Sequence, residues 1–290
     1  MKRPDAKVYH LTAKKSQTAE QLIRSNLSAI DSKKVILSGG AWLNAQRVQS
    51  LNAPINIGDT LKIYTCPTQG YTYMFPDSFI INETADWVVV YKEPLITVAM
   101  DRSNMFFNLM AGLNEYYGYG DLATGVQPIT RLDYRVAGLC LFSKRKSAER
   151  RLFSQMQQRR IKKRYKAIVP INTAIYSRLD IKNHLNHKRK AYEDPSGKFA
   201  QTRFIYDQDY DQGRSYHAIT KTGRRHQIRC HAAQFIAPLI NDELYSRSYN
   251  DRHQPIGLIA TYLKFIWNGQ IIRISLPNDF LNKSLTDLTV

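Results

Sequence analysis

The sequence predicts an α+β protein built around a mixed, largely antiparallel sheet. At 290 residues with 43% hydrophobic residues, the chain can bury one substantial core and still leave room for a small accessory domain. Short apolar runs typical of strands alternate with only a few helical patterns. The runs are Trp87–Tyr91, Leu139–Phe142, Tyr165–Val169, Lys198–Ile205, Ser215–Thr220 and Ile271–Ile274, and the clearest helical patterns are Ser147–Gln158 and Gln227–Phe235.

The first 66 residues predict a separate compact unit. An amphipathic helical pattern places Leu22, Ile23, Leu27 and Ile30 on one face. A second short helix and three short strands follow, at Ser32–Leu37, Ala41–Leu43, Arg47–Leu51 and Thr60–Tyr64. The Thr-, Tyr- and Pro-rich stretch that comes next is typical of a linker. We therefore expect a small domain at 1–66, a linker at 67–85 and the main domain at 86–290.

The charge of the chain indicates a polyanionic partner. The sequence has 42 Lys and Arg against 24 Asp and Glu, a formal net charge of +18, and its basic residues cluster, most densely at Arg159–Lys166. Nucleic-acid phosphates explain such an excess best, because each neutralised phosphate releases condensed counterions. The alternatives are a solvated basic face with no partner and, less favoured, an anionic membrane surface.

From other general features we expect a cytoplasmic protein that does not associate with a membrane, and we expect it to be a monomer. The three scattered cysteines do not form a disulfide framework and fit a reducing compartment. The first residues, MKRPDAKVYHLTAKK, are basic but lack the apolar stretch of a secretory signal. No P-loop or dinucleotide-binding glycine pattern is present, so we expect no cofactor.

Asp133 is the first candidate for chemistry. It lies between Arg131 and Arg135 in ITRLDYRVAGL, directly before a Gly-containing apolar strand. A carboxylate flanked in this way stays ionised. Because it repels phosphate, its presence in a basic surface needs a chemical or structural reason. The structural alternative is a turn aspartate that pairs with an arginine.

Two further motifs follow at a distance along the chain. KKRYKAIV contains Lys163, Arg164 and Tyr165, and ITKTGRRHQIRCH contains a dense set of polar side chains, namely Arg224, His226, Gln227 and Arg229. His226, Cys230 and His231 of the second motif are too close together in the sequence to form a zinc site by themselves. The second pair of ligands that such a site requires is missing, so we expect no metal.

These motifs, in this order, resemble those of the RluA family of RNA pseudouridine synthases. The first is similar to HRLDxxTSGLLLxAK, the second to KxYxAxV and the third to LxTGRTHQIRxH; weaker likenesses are VVVYKEP, GKFAQTRF and NDELY. The resemblance implies the pseudouridine synthase catalytic fold and a catalytic role for Asp133. It also implies that Arg131 displaces the target base, that Tyr165 stacks on the base and handles a proton, and that Arg229 pairs with Asp133.

The same resemblance implies which side chains contact RNA. They are Arg131, Lys163, Arg164, Arg224, His226 and Gln227. At the N-terminus, ILSGGAWLNAQRVQSLNAPINIGDTLKIY resembles a small RNA-binding domain that a ribosomal small-subunit protein shares with RNA-modifying enzymes. Gly40, Leu43, Asn44, Gly58 and Asp59 carry that likeness, and an ordinary α+β extension is the alternative.

The chain also departs from the family pattern. Thr130 replaces a histidine and Val136-Ala137 replace Thr-Ser, while Glu93 interrupts a Lys-Pro pair and Ile259 stands where a histidine is common. None of these changes removes a candidate catalytic residue. We therefore expect a synthase that isomerises uridines in structured RNA, with ribosomal RNA favoured over transfer RNA. The alternatives are an inactive RNA-binding or ribosome-assembly protein on the same fold and an unrelated RNA hydrolase.

Overall fold

The computed structural model describes residues 6–188, 190–211, 213–248 and 253–288. The chain divides into two compact units, one made of residues 1–75 with 96–126 and the other of residues 76–95 with 127–290. Residues 96–126 thus belong with the N-terminal segment, although the sequence places them in the main domain. Within the described ranges no helix is both long and apolar enough to cross a membrane.

The first unit is a small α+β unit. Its four-stranded antiparallel sheet has the order β1-β6-β3-β4, and β2 pairs with β5. Helix α1 begins at a capping box, in which Thr18 and Gln21 satisfy each other's backbone amides. The elements are β1 (Lys7–Thr12), β2 (Gln17–Thr18), α1 (Ala19–Asn26), α2 (Ser32–Leu37), β3 (Ala41–Leu43), β4 (Gln46–Val48), β5 (Pro54–Ile55), β6 (Thr60–Thr65) and α3 (Leu109–Tyr116).

The second unit is a large mixed sheet with helices on parts of both faces. Its strand order is β13-β12-β14-β15-β11-β16-β10-β8-β7, with β17 paired to β16 and β9 paired to β10. The β10–β16 pairing is parallel and the other ladders are antiparallel. The elements are a 3-10 helix (Asp77–Phe79), β7 (Ile80–Glu83), β8 (Trp87–Lys92), β9 (Gln127–Pro128), β10 (Ala137–Ser143), α4 (Lys146–Gln157), β11 (Lys162–Val169), β12 (Arg178–His187), β13 (Ala191–Glu193), β14 (Lys198–Tyr210), β15 (Gly213–Thr220), α5 (Gln227–Phe235), β16 (Leu258–Trp267), β17 (Gln270–Ser275) and α6 (Asn278–Thr286).

Two apolar clusters hold the second unit together. In the first, α4 and α6 contribute Leu152 and Leu285 to a core that includes Trp87 and Phe265. In the second, α5 packs its apolar residues on the β11, β14 and β15 part of the sheet. This second cluster, which we call the site cluster, consists of Val136, Tyr165, Ala167, Val169, Ile181, Phe204, Tyr216, Ala218, Ile228, Ala232, Leu239, Ile256, Leu258 and Ala260.

The predicted fold class is confirmed. The sheet of the second unit is mixed and largely antiparallel, and the four predicted helices correspond to α1, α2, α4 and α5. The sequence did not predict α3, α6 or the strands β1, β2, β5, β7, β9, β12, β13 and β16, and it placed β4 slightly too late in the chain. Cys66, Cys140 and Cys230 are buried free thiols.

Candidate active site

Asp133 lies in the turn that connects β9 to β10. The two strands pair with each other, and the turn closes where the Val136 amide donates to the Asp133 carbonyl at 3.1 Å. Thr130 holds the start of the turn, because its hydroxyl accepts from the Leu141 amide at 2.9 Å. The carboxylate of Asp133 therefore projects from a turn whose two ends are fixed to strand β10.

Arg229, in the first turn of α5, joins Asp133 to a second carboxylate. Its Nη1 donates to Asp133 Oδ2 at 2.9 Å, while Nε and Nη2 make a bidentate pair with Asp242, both at 2.8 Å. Asp242 is fully buried, and the Asp133 side chain remains 33% exposed. A bidentate guanidinium–carboxylate pair fixes the orientation of both partners. Asp242 therefore orients the arginine that donates a hydrogen bond to Asp133.

The electrostatic surroundings keep Asp133 ionised. Burial raises the pKa of this carboxyl, but the nearby guanidinium of Arg229 and the hydrogen bond that it donates outweigh burial, and the pKa lies below its ordinary value. Asp133 Oδ1 makes no hydrogen bond to any described residue. One oxygen is thus held by Arg229, while the other has no partner among the described residues in a side chain that is 33% exposed.

His226 begins α5 next to this ion pair. Its backbone is left-handed (φ 52°), and its Nε2 lies 3.6 Å from Asp133 Oδ2. Burial lowers the pKa of His226 to about 4, although Asp133 acts in the opposite direction, so the ring is neutral at pH 7. Its Nδ1 lies 3.4 Å from the hydroxyl of Tyr245, whose ring lies 5.4 Å from the guanidinium carbon of Arg229.

Gln227 fixes the loop that precedes α5. Its side-chain oxygen accepts from the Thr222 hydroxyl at 2.7 Å and from the Arg224 amide at 3.1 Å. Its side-chain nitrogen donates to Gln201 O at 2.9 Å and to the Thr202 hydroxyl at 2.8 Å. Gln227 is only 3% exposed, so in this structure it positions Arg224 and does not itself face solvent.

Two buried cations, Lys92 and Arg135, hold the Asp133 turn in place. Lys92 Nζ donates to the Tyr134 carbonyl at 3.3 Å, and burial lowers the pKa of this amine to about 8, against the opposing influence of Asp133. Arg135 forms an ion pair with Glu243 and donates to the Asn241 carbonyl at 2.7 Å. The turn is thereby tied both to β8 and to the segment that carries Asp242.

Tyr165 lies on β11, within the site cluster. It is 7% exposed and pairs with Ala218 on β15 and Ala260 on β16, two small side chains that leave room beside its ring. The same cluster contains Ile228, the neighbour of Arg229, and borders Leu132, the neighbour of Asp133. The Tyr165 hydroxyl makes no hydrogen bond to the described part of the protein.

The cations that the sequence assigned to RNA lie on different sides of the sheet. Lys163 lies beside Gly223 on the same face as Tyr165, and Arg131 is exposed next to Asp133. Arg224 is half-buried, and its Nε donates to the Phe199 carbonyl at 2.9 Å. Arg164 lies on the opposite face, with its guanidinium carbon 4.9 Å from the centre of the Tyr262 ring. Lys163 and Arg131 therefore lie on the side of the active-site candidates, and Arg164 does not.

The family of this chain follows from its similarity to known proteins. Residues 86–234, just over half of the chain, match the family model described as RNA pseudouridylate synthase. The chain belongs to this family. It is an RNA pseudouridine synthase, an isomerase that converts uridine in RNA into its carbon-linked isomer.

Individual relatives are similar to this synthase over most of their length. The ribosomal large subunit pseudouridine synthase C of Buchnera aphidicola is 24% identical over 288 residues, which cover 91% of each chain. The protein of the same name from Escherichia coli K12 is 24% identical over 306 residues, 95% of this chain and 94% of its own. An uncharacterized RNA pseudouridine synthase of Bacillus subtilis is 28% identical over 193 residues, 64% and 67% of the two chains.

Solved structures show the same fold. Human RNA pseudouridylate synthase domain containing 1 superposes with a TM-score of 0.60 at 20% identity, over 74% of this chain and 91% of that one. Human RNA pseudouridylate synthase domain containing 4 gives a TM-score of 0.54 at 18% identity, over 73% and 93%. At these identities the likeness shows the fold of the synthase.

The sequence motifs do not predict every residue of this site. Asp242 and Tyr245 both lie in NDELY, whose weak likeness to the family motif does not mark either of them as a site residue. The signal was available, because a buried arginine requires a carboxylate partner and NDELY supplies one. Lys92 and Arg135 gave no such signal, since their partners are backbone carbonyls and a glutamate distant in sequence.

Proposed function

We propose that this synthase isomerises specific uridines of ribosomal RNA and that Asp133 is its catalytic carboxylate. The observation that carries the proposal is the ionised, partly exposed carboxylate of Asp133, held by the buried Arg229 at 2.9 Å. The names of the relatives, which act on the ribosomal large subunit, and the net charge of +18 support ribosomal RNA as substrate. The enzyme then works in the cytoplasm, as a monomer.

The reaction requires an anionic group at the sugar. The bond between uracil and ribose breaks, the uracil turns, and a carbon of the ring joins the sugar in place of nitrogen. Attack on the anomeric carbon and removal of the neighbouring proton both need an ionised carboxylate, and Asp133 Oδ1 supplies one while Arg229 holds Oδ2. The neutral ring of His226 adds no competing positive charge beside it.

Other side chains hold the RNA around this carboxylate. Arg131 displaces the target base from its stack, and the ring of Tyr165 stacks on the displaced uracil. Lys163 and Arg224 contact the flanking phosphates, which suits the position of Lys163 on the face of Tyr165, beside Gly223. His226 and Gln227 act at the same loop, Gln227 through the backbone of Arg224, and residues 1–66 add an RNA-binding appendage.

Asp133→Asn tests the catalytic assignment. The amide keeps the size of the side chain, so we expect the variant to fold and bind RNA while single-turnover pseudouridine formation falls about 10³-fold or more. The measurement is chromatographic quantitation of carbon-linked uridine in RNA incubated with the protein. Turnover at the parental rate in a well-folded variant would show that Asp133 is not the catalytic residue.

Asp209→Asn is the matched control. Asp209 is 39% exposed, similar to Asp133, and it accepts two hydrogen bonds from Arg214, at 2.9 and 3.0 Å. The substitution therefore weakens an equivalent arginine pair on β14 without touching the site. We expect parental turnover from this variant, so a loss specific to Asp133→Asn reports chemistry and not the loss of an ion pair.

The RNA class is tested in cells. Pseudouridine maps of ribosomal and transfer RNA, made with and without this gene, should differ at ribosomal positions if the proposal holds. Differences confined to transfer RNA would leave the catalytic assignment intact and reject the substrate.

A further inference from the structure

The sheet of the second unit has a second face that the active site does not use. Paired residues on neighbouring strands point to the same face, and consecutive residues alternate. Tyr165 and Ala218 pair and both belong to the site cluster, so their neighbours Arg164 and His217 lie on the opposite face. Helix α5 packs on the site face alone, through Ile228 and Ala232.

A row of basic residues crosses this opposite face from strand to strand. Lys182 on β12 is opposite Gln201 on β14, whose carbonyl accepts from the amide of Lys221 at the end of β15. On the other side of the row, Lys162 on β11 is opposite Lys264 on β16, which is in turn opposite Arg273 on β17. Neighbouring strands are about 4.8 Å apart, so six strands extend this row over roughly 24 Å.

Few carboxylates offset these cations. Asp180 is paired with Arg203 at 2.6 Å and with Arg178 at 2.9 Å, and Asp207 is paired with the buried Lys166. Among described residues, the exposed or half-buried cations of this face, which we call the basic sheet face, are Arg164, Arg178, Arg203, Arg273, Lys162, Lys182, Lys221 and Lys264. The lysines of the row and Arg273 form no ion pair with any described carboxylate.

We propose that the basic sheet face binds the sugar-phosphate backbone of the substrate RNA at a distance from the target uridine. The proposal rests on the proposed function for the identity of the nucleic acid. The four lysines of the row and Arg273, which have no carboxylate partner among the described residues, match a line of phosphates in charge, and each contact gains from counterion release. Arg164 is pre-positioned for such a contact by the ring of Tyr262. A single RNA must then extend around the edge of the sheet to reach both faces, which favours large folded substrates.

The test neutralises the row with one variant, Lys182→Gln/Lys264→Gln/Arg273→Gln. These residues lie on three strands, and none belongs to the active site. We expect the dependence of log affinity on log salt, measured with a structured ribosomal RNA fragment, to become shallower by about 2 to 3, near 0.9 for each lost phosphate contact. KM should rise about tenfold while kcat at saturating RNA stays within about twofold of the parent.

The control removes the same charge elsewhere on the second unit. Lys146→Gln/Arg150→Gln/Lys283→Gln changes three exposed cations on α4 and α6. We expect its salt dependence to change by less than 1 and its KM to remain near the parental value. Thermal unfolding of both triple variants checks that each one keeps the parental fold, which is expected because all six side chains are outside the apolar clusters.

The outcomes separate this surface from the proposed function. Equal affinity and salt dependence in the two triple variants would reject the basic sheet face even if the parent forms pseudouridine. A specific loss of RNA affinity in the first variant would support it even if the parent proved inactive on that RNA. Loss of binding to vesicles of anionic phospholipid, with RNA binding unchanged, would assign the face to a membrane and overturn the proposal.

Discussion

At the scale of single residues, a substitution of Tyr165 tests whether its hydroxyl takes part in proton transfer. Its ring lies in the site cluster and its hydroxyl has no hydrogen-bond partner among the described residues. Tyr165→Phe keeps the ring, so we expect parental RNA affinity with kcat reduced about 10²-fold, the usual contribution of a positioned proton-transfer group. Binding and single-turnover measurements on the same RNA separate the two effects.

Tyr216→Phe is the control for loss of a hydroxyl in the same cluster. The Tyr216 hydroxyl accepts from the Tyr176 amide and donates to the Ala174 carbonyl, both at 3.3 Å, and the residue is fully buried. Its loss should cost about 1 kcal/mol of stability and leave turnover unchanged. If Tyr165→Phe also affects only stability, Tyr165 serves packing and not proton transfer.

The site residues that the sequence identified were those within dense motifs. Asp133 and Arg229 are 96 positions apart, yet each lies in a long matching run, and the structure places them in contact. Asp242 was missed because NDELY matches too few residues, and its buried pairing with Arg229 depends on tertiary structure alone. Gln227 was identified, but its hydrogen bonds lie inside the protein, which no motif could reveal.

At the scale of secondary-structure elements, Gly138 allows the backbones of β10 and β16 to approach each other closely. Its φ is +118°, and an added Cβ would lie 2.3 Å from the Ala260 carbonyl oxygen. Any side chain here meets both backbone strain and backbone atoms of the neighbouring strand. Because β10 carries the Asp133 turn, we expect Gly138→Ala to destabilise the protein by roughly 3 kcal/mol and to reduce turnover. Urea denaturation and activity assays provide the two measurements.

Gly269→Ala separates strain from close packing. Gly269 also has a positive φ, +77°, but nothing lies within 4 Å of an added Cβ. We expect a cost of about 1 kcal/mol, the ordinary penalty of a left-handed residue, and unchanged turnover. If both alanine variants lose equal stability, the approach of β10 to β16 is not the cause.

The hydrophobic pattern of the sequence predicts strands that are buried on both faces more readily than strands that are bulged or half-exposed. The apolar runs of β8 and β10 are buried on both faces, and so they stand out in the sequence. In β16 the bulge opposite Arg164 and Tyr165 changes the register, which breaks the period of two. In β12 the apolar residues alternate with Arg178, Asp180 and Lys182, whose charges obscured a half-exposed strand.

At the scale of the whole molecule, the first unit is built from two separate segments of the chain. The Met105 amide donates to the Ser38 carbonyl at 2.9 Å, and Trp42 Nε1 donates to the Arg102 carbonyl at 2.9 Å. Arg47 Nη2 donates to the Asp101 carbonyl at 2.7 Å. Sequence composition could not reveal this arrangement, since the bonds join residues more than fifty positions apart. The boundary predicted at residue 66 therefore cuts through a packed unit.

Deletion of residues 1–66 consequently tests both the unit and its proposed role in RNA binding. The deletion removes Ser38, Trp42 and Arg47, the partners of residues 101–105, so buried backbone groups in that segment lose their hydrogen bonds. We expect limited proteolysis to cut within 96–126 of the truncated protein and not of the full chain. RNA affinity should fall and its salt dependence should flatten, because the deleted segment supplies phosphate contacts. Full protection of 96–126 would show that this segment folds without residues 1–66, and parental affinity with an unchanged salt dependence would show that the first unit does not bind RNA.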